Sequence, residues 1–220
     1  MDAGGGMVEK CSARPLFEAL IGLGMSHLVG IPDNGTATLF ALARAHERVA
    51  LLTVTREGEA FAVASGLWLG GKSPVVVVQN TGLLESGDSL RGTAYRMGVP
   101  LPILVGVRGH AKLVSHYRDI EAARAAGQAP QTMKRAEVDS VALVTEPTLQ
   151  AWNVPYVSYR SHADVGEVTR LCRLARDVGH PVAVLLPFSL EPDESLEMHE
   201  SHESLEPRES HPSLESGDER

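Results

Sequence analysis

Four consecutive valines, Val75 to Val78, constrain the fold of this chain more than any other feature. Side chains alternate between the two faces of a strand, so a strand can be apolar at every position only when both faces are covered. Pro74 to Gln79 is therefore expected to be a central parallel strand. The runs His27 to Ile31, Val49 to Val54, Leu101 to Val107, Val154 to Tyr159 and Val182 to Leu186 read as further short strands. Between them lie helical patterns. Ser12 is placed to cap a helix with Leu16, Phe17, Leu20 and Ile21 on one face, ending near Gly22 and Gly24. Thr36 starts a helix that reaches about Glu47. Glu57 to Leu69, Ser86 to Met97 and Val165 to Val178 supply the others. Such alternation predicts a doubly wound α/β fold, a mostly parallel sheet with helices on both faces. Residues 108–140 have mixed charge and weak periodicity and predict no element.

The chain has 220 residues, enough for one sizeable core. Its net charge of -8 is unevenly placed. Residues 191–220 hold 11 of the 28 acidic residues and two of the 20 Lys and Arg. The remaining body carries 17 acids against 18 bases and is nearly neutral, with no basic patch for nucleic acid. The acidic segment repeats Glu-Ser-Leu-Glu and Glu-Ser-His and has few apolar residues, so it is expected to be a disordered tail. The expected organisation is a flexible N-terminus over residues 1–11, one domain over 12–190, and the tail over 191–220. Cys11 and Cys172 form no disulfide framework and no metal-ligand spacing. No apolar run is long enough to span a membrane. Residues 1–10 lack the basic-then-apolar order of a secretory signal, so a cytoplasmic location is expected.

In a doubly wound sheet, ligands bind beyond the carboxyl ends of the strands. Four strand exits carry suggestive residues: Pro32-Asp33-Asn34-Gly35, Arg56-Glu57-Gly58-Glu59, Gln79-Asn80-Thr81-Gly82 and Arg108-Gly109-His110. Their convergence on one rim is the signal. Glu57 stands where a strand runs into a helix, and the next strand ends in Gln-Asn-Thr-Gly. This pattern fits a cofactor site with a single acid. Glu57 and Glu59 lie two positions apart on one helix and face different directions. Glu59 is expected to be a solvated first-turn acid favoured by the helix dipole. Read alone, Glu57 could be the same.

The ordered set Gly30-Ile31-Pro32-Asp33-Asn34, Thr55 to Ala60, Gly66 to Lys72, Gln79 to Leu83, Gly98-Val99-Pro100, Arg108-Gly109, Thr145 to Leu149 and Gly179 to Val182 resembles one family. It is similar to the pyrimidine-binding (PYR) domain of thiamine-diphosphate enzymes. Within that family it is nearest to the alpha-type subunit of sulfopyruvate decarboxylase and the matching part of phosphonopyruvate decarboxylase. The resemblance implies a PYR-type fold for the body and a role for Glu57. In the family this acid hydrogen-bonds a ring nitrogen of the cofactor's aminopyrimidine. It implies that Gln79, Asn80, Thr81, Gly82 and Leu83 run beside that ring. Asn34 is either a turn residue or a residue facing the substrate. Arg108 would meet an anionic group of the substrate or a neighbouring acid. His110 is a substrate-facing donor or an ordinary loop histidine. Relatives usually read Ser-Gly-Leu-Gly-Asn where this chain has Thr81-Gly82-Leu83-Leu84-Glu85, a departure at the cofactor loop.

The family's diphosphate and Mg²⁺ motif, Gly-Asp-Gly with a downstream Asn, does not occur here. Ser86-Gly87-Asp88-Ser89 is the nearest string and lies in a different loop. The resemblance therefore implies half an active site. Thiamine diphosphate would lie between this chain and a separate diphosphate-binding (PP) subunit, which would supply the Mg²⁺ ligands of a hetero-oligomer. The implied reaction is decarboxylation of a small anionic 2-keto acid. The alternatives are another decarboxylating or carboligating half that uses the same cofactor, or a non-catalytic binding or assembly module.

Overall fold

The computed structural model describes residues 11–110, 112–113, 122, 125–127 and 140–192. Six strands form one sheet: β2 (His27–Gly30), β3 (Ala50–Thr53), β4 (Pro74–Gln79), β5 (Pro102–Gly106), β6 (Tyr156–Ser158) and β7 (Val182–Leu186). Their order is β3-β2-β4-β5-β7-β6, and every pairing is parallel. The all-valine strand lies inside the sheet as expected, with Val75, Val76, Val77 and Val78 between 0% and 2% exposed. Full burial of one such side chain contributes about 1.5–3 kcal/mol, so an edge position would forfeit much of what this segment offers.

The pleat divides the core in two. Leu28, Val75, Val77, Leu104 and Val184 face one side, where they meet Leu16, Phe17 and Leu20 of α1 (Arg14–Gly22). The same side is covered by Leu39 and Phe40 of α2 (Ala37–Ala45) and by Val168 and Cys172 near the carboxyl end of the chain. Val29, Val76, Val78, Ile103 and Val105 face the other side, against Ala60, Phe61 and Ala64 of α3 (Glu57–Leu69). Also on that side are α4 (Asn80–Glu85), α5 (Gly87–Leu90), a π-helical turn (Arg91–Tyr95) and α6 (Ser140–Ala151). The last helix, α7 (Val165–Val178), follows a 3₁₀ turn (His162–Asp164) capped by Ser161 and Asp164.

This winding places the switch in direction between β2 and β4. After β2 the chain turns to one face through α2; after β4 it turns to the other through α4. The two loops part there and leave a crevice, the usual ligand position in such sheets. Close approach of the two strands depends on Gly30, where a β-carbon would lie 1.9 Å from the carbonyl oxygen of Val77.

Helices α3 and α7 and strands β4 and β7 span the expected residues. Four expectations are corrected. Ser12 does not cap α1: it pairs in a two-stranded parallel ladder, β1 (Cys11–Ser12) with β8 (Leu190–Glu191), and Ala13 precedes the helix. Asn80 to Leu83 is not loop but the first turn of α4, which leaves β4 with no connecting residue. Ser86 to Met97 is not one helix but α5 followed by the π turn. Helix α6, whose pattern is interrupted by Pro147, was not expected. The ladder runs through Glu191, one residue past the expected domain boundary, and takes in Cys11. Most of 108–140 and the segment from 193 lie outside the described residues.

Candidate functional site

Glu57 is the first residue of α3, reached directly from the end of β3 through Val54, Thr55 and Arg56. It is half-buried, and its side chain lies on the backbone of Gly82 in α4. A β-carbon on Gly82 would sit 2.2 Å from Cγ and 2.4 Å from Oε1 of Glu57. No other residue type could occupy position 82 without moving the acid. Among the described residues, no hydrogen bond or ion pair engages the Glu57 carboxylate.

Its neighbours are engaged. Glu59 Oε2 accepts from the backbone N–H of Thr55 at 3.2 Å and from its hydroxyl at 3.3 Å. Glu59 thus ties down the chain entering the helix, much as the acid of a capping box does, and the expected difference between the two glutamates appears in their contacts. Arg56 is bound through Nε and a terminal nitrogen to one oxygen of Glu85. Glu85, half of the Leu84-Glu85 departure, therefore neutralises the cation next to Glu57. The pair is largely solvent-exposed, and exposed pairs of this kind contribute about 0–1 kcal/mol.

The Gln79 to Leu83 segment divides by role. Gln79 and Thr81 are half-buried and bonded to each other, the Thr81 hydroxyl donating to Gln79 Oε1 at 2.8 Å. Gly82 carries Glu57. Asn80 is fully buried; its Nδ2 donates to the Arg108 carbonyl at 3.1 Å and to Thr145 Oγ1 at 3.2 Å, and its Oδ1 accepts from Thr81 N at 3.1 Å. These bonds join the exits of β4 and β5 to α6. The Leu83 side chain is fully buried in the core with Phe61 and Val78.

The other rim residues sit at neighbouring strand exits. Asn34 is exposed in the loop after β2. Asp33 organises that loop: its Oδ1 accepts from Gly35 N at 2.7 Å, Thr36 N at 2.8 Å and the Thr36 hydroxyl at 3.1 Å. This holds the loop across the end of the sheet, with Asp33 Oδ2 beside Gly106 of β5. Arg108 is exposed after β5, and His110 stacks edge-on against Phe188 with ring centroids 5.9 Å apart. The fold thus places Asn34, Glu57, Gln79, Thr81, Gly82, Arg108 and His110 at the carboxyl rim of the sheet. Sequence reasoning missed three supporting residues. Asp33 was legible from the Asp-Asn-Gly turn, and Glu85 from the departure at the cofactor loop. Thr145 lies 65 positions from Asn80 and left no local signal.

Two concavities lie away from Glu57. One of about 470 Å³ is lined by Leu90, Arg91, Tyr95, Trp152 and Val154; the other, about 280 Å³, lies at the opposite rim near Lys72 and Cys172. Burial pushes the Cys172 thiol up to about 11, which suits a packing role rather than a nucleophile. Among the described residues, no group of three or more His, Cys, Asp or Glu side chains could hold a metal ion. No helix among them is long and apolar enough to cross a membrane.

The fold is a parallel α/β domain with one acid seated on a glycine at its switch point, where such sheets place ligands. Residues 12–143 match the family described as "Thiamine pyrophosphate enzyme, N-terminal TPP binding domain", and the chain belongs to that family. It is similar to phosphonopyruvate decarboxylase of Streptomyces hygroscopicus, with 34% identity over 98 residues, 44% of this chain and 24% of that protein. It is similar to sulfopyruvate decarboxylase subunit alpha of Methanococcus maripaludis, with 22% identity over 176 residues, 80% of this chain and 93% of that protein. A third relative is 2-succinyl-5-enolpyruvyl-6-hydroxy-3-cyclohexene-1-carboxylate synthase of Renibacterium salmoninarum, 38% identical over 96 residues, 42% of this chain and 17% of that protein. The chain thus spans about a quarter of the length of the phosphonopyruvate decarboxylases it matches.

Proposed function

We propose that this chain is the alpha (PYR) subunit of a thiamine-diphosphate-dependent 2-keto acid decarboxylase of the sulfopyruvate or phosphonopyruvate type. The observation that carries the reading is the seating of Glu57 on Gly82, a cradle that any β-carbon would fill, within the family-matched region. The residues fit the aminopyrimidine end of the cofactor. They offer no counterpart to the family's diphosphate motif, since no Gly-Asp-Gly occurs in the sequence. Mg²⁺ and the diphosphate are assigned to a separate PP subunit, in line with relatives described as alpha subunits.

When bound, thiamine diphosphate supplies a carbon nucleophile and an electron sink for the carbon–carbon bond that breaks as CO₂ leaves. Glu57 would hold a proton between its carboxylate and the ring nitrogen it faces. That is the residue's contribution to general acid–base catalysis, worth typically about 10²–10⁴-fold. Gln79 and Thr81 would lie beside the ring, and Gly82 would keep the acid in place. Arg108, Asn34 and His110 would face a small anionic keto acid. Arg56, held by Glu85, offers less charge to that substrate than an unpaired arginine would.

A carboligating half is the second reading, favoured by the 38% match to the synthase. Product analysis separates the two: an aldehyde with stoichiometric CO₂ for the first, a condensed acid for the second. The test is co-expression with the PP subunit of the same genome, addition of thiamine diphosphate and Mg²⁺, and measurement of CO₂ release from sulfopyruvate and phosphonopyruvate. The reading expects release only from the complex. No turnover with any keto acid would overturn it in favour of a binding or assembly module.

A further inference from the structure

We infer that Phe188 and Leu190, on the segment beyond the last sheet strand, position the substrate-facing residues His110 and Asn34. This rests on the function proposed above and deepens it by naming what holds the substrate side of the site. The segment leaves β7 beside β5, where the Val107 N–H donates to the Leu186 carbonyl at 2.9 Å. Phe188 then meets the ring of His110, beyond the exit of β5. Two residues on, the Leu190 N–H donates to the carbonyl of Gly35, in the loop after β2, at 2.9 Å. In the sheet β4 and β5 lie between β7 and β2, so residues 187–190 cross the carboxyl rim as a strap.

The two edges of the strap have different partners, as successive residues of an extended chain do. Ser189 and Glu191 accept from Cys11 N at 3.3 Å and Ala13 N at 3.1 Å, on the β1 side. Leu190 turns both its backbone groups the other way. Its N–H goes to Gly35, and its carbonyl accepts from the Thr38 hydroxyl of α2 at 2.8 Å. Its side chain is buried in the core on the α2 face, whereas Glu57 starts α3 on the opposite face. The strap therefore borders the crevice across from the acid.

Asn34 is pinned from both neighbours. Asp33 holds the N–H groups of Gly35 and Thr36 from within the loop, and Leu190 holds the Gly35 carbonyl from outside. Such anchoring fixes where Asn34 points without touching substrate, the role of a positioning residue. Thr38 belongs to the same device, because its hydroxyl fixes the carbonyl of the residue that fixes Gly35.

The test uses the complex co-expressed with the PP subunit and compares the wild type with Thr38→Val, Thr38→Ser and Phe188→Ala. Deuterium uptake by residues 31–38 reads the loop, and KM and kcat for sulfopyruvate and phosphonopyruvate read the site. Thr38→Val removes one hydrogen bond at nearly constant shape, so uptake is expected to quicken and KM to rise about three- to tenfold with kcat within about twofold. Thr38→Ser is expected to restore both. Phe188→Ala is expected to raise KM with uptake at 31–38 unchanged, since it acts on His110. Faster uptake with wild-type KM in Thr38→Val would overturn the inference by making the strap structural only. Wild-type KM and uptake in both Thr38→Val and Phe188→Ala would overturn it outright and leave the decarboxylase reading intact. A wild-type complex without turnover on any keto acid would instead overturn that reading, with the hold on the loop decided by uptake alone. Should Thr38→Val misfold, the KM of Phe188→Ala decides.

Discussion

Helix α7 turns Glu167, Arg170, Arg173 and Asp177 to solvent, whereas α3 turns out Ala62, Gly66 and Leu69. Both cover the same sheet from opposite faces, and both bury a full stripe of side chains. Their inner faces obey one rule, since apolar area must leave water to offset chain entropy. Their outer faces do not. Both leave apolar side chains exposed, Leu174 and Val178 on α7 and Leu69 on α3, but beyond the first turn only α7 sets charged residues among them. The helix without charges beyond its first turn is the one that begins with Glu57.

The comparison breaks most easily within α3 itself. Phe61→Ala, on the fully buried face, should lower unfolding free energy by about 3–5 kcal/mol. Leu69→Ala, two turns away on the outer face, should change it by no more than about 0.5 kcal/mol. Denaturant unfolding of the isolated chain measures both. Equal losses would show that the outer stripe is packed in the free chain.

Gly82→Ala probes the contact between α3 and α4. Its methyl would collide with Glu57, so overpacking of about 1–3 kcal/mol is expected. Activity of the complex should fall further than stability does, because the displaced group is the acid itself. A variant with lost stability but unchanged kcat would show that the Glu57–Gly82 seat is packing alone.

The smallest effect lies at the opposite rim, which the account treats as structural. Desolvation, and secondarily Lys72, hold His27 below its ordinary value of 6.5. The unfolded chain therefore binds more protons than the folded one just below that pH. Stability from this residue is complete above 6.5 and is lost as pH falls from there toward the folded value. His27→Gln should make the fall in thermal midpoint between pH 7 and pH 5 slightly shallower than in the wild type. An identical slope would remove His27 from the account.

How much of this was legible in the chain depended on what each residue needed. The valine run fixed β4 and hence a parallel sheet, because no half-exposed strand tolerates four valines. The periodicity of Glu57 to Leu69 and Val165 to Val178 gave both helices to the residue. Ser12 misled because a serine before a helical pattern reads as a cap, while the distant strand Leu190–Glu191 claimed its backbone instead. Asn80 was read as part of a cofactor loop; its amide is bonded to Arg108 and Thr145, partners that only the fold brings near. The position of Glu57 was visible from strand, turn and helix. Its seat on Gly82 was not, since contact between the heads of two helices has no sequence period.

The most direct measurement is CO₂ release by the assembled complex of Glu57→Gln with its PP subunit, at saturating thiamine diphosphate and Mg²⁺ and at a Kd between subunits matching the wild type. The account predicts that kcat falls by roughly 10²–10⁴-fold with assembly intact. Wild-type kcat in that complex would contradict it.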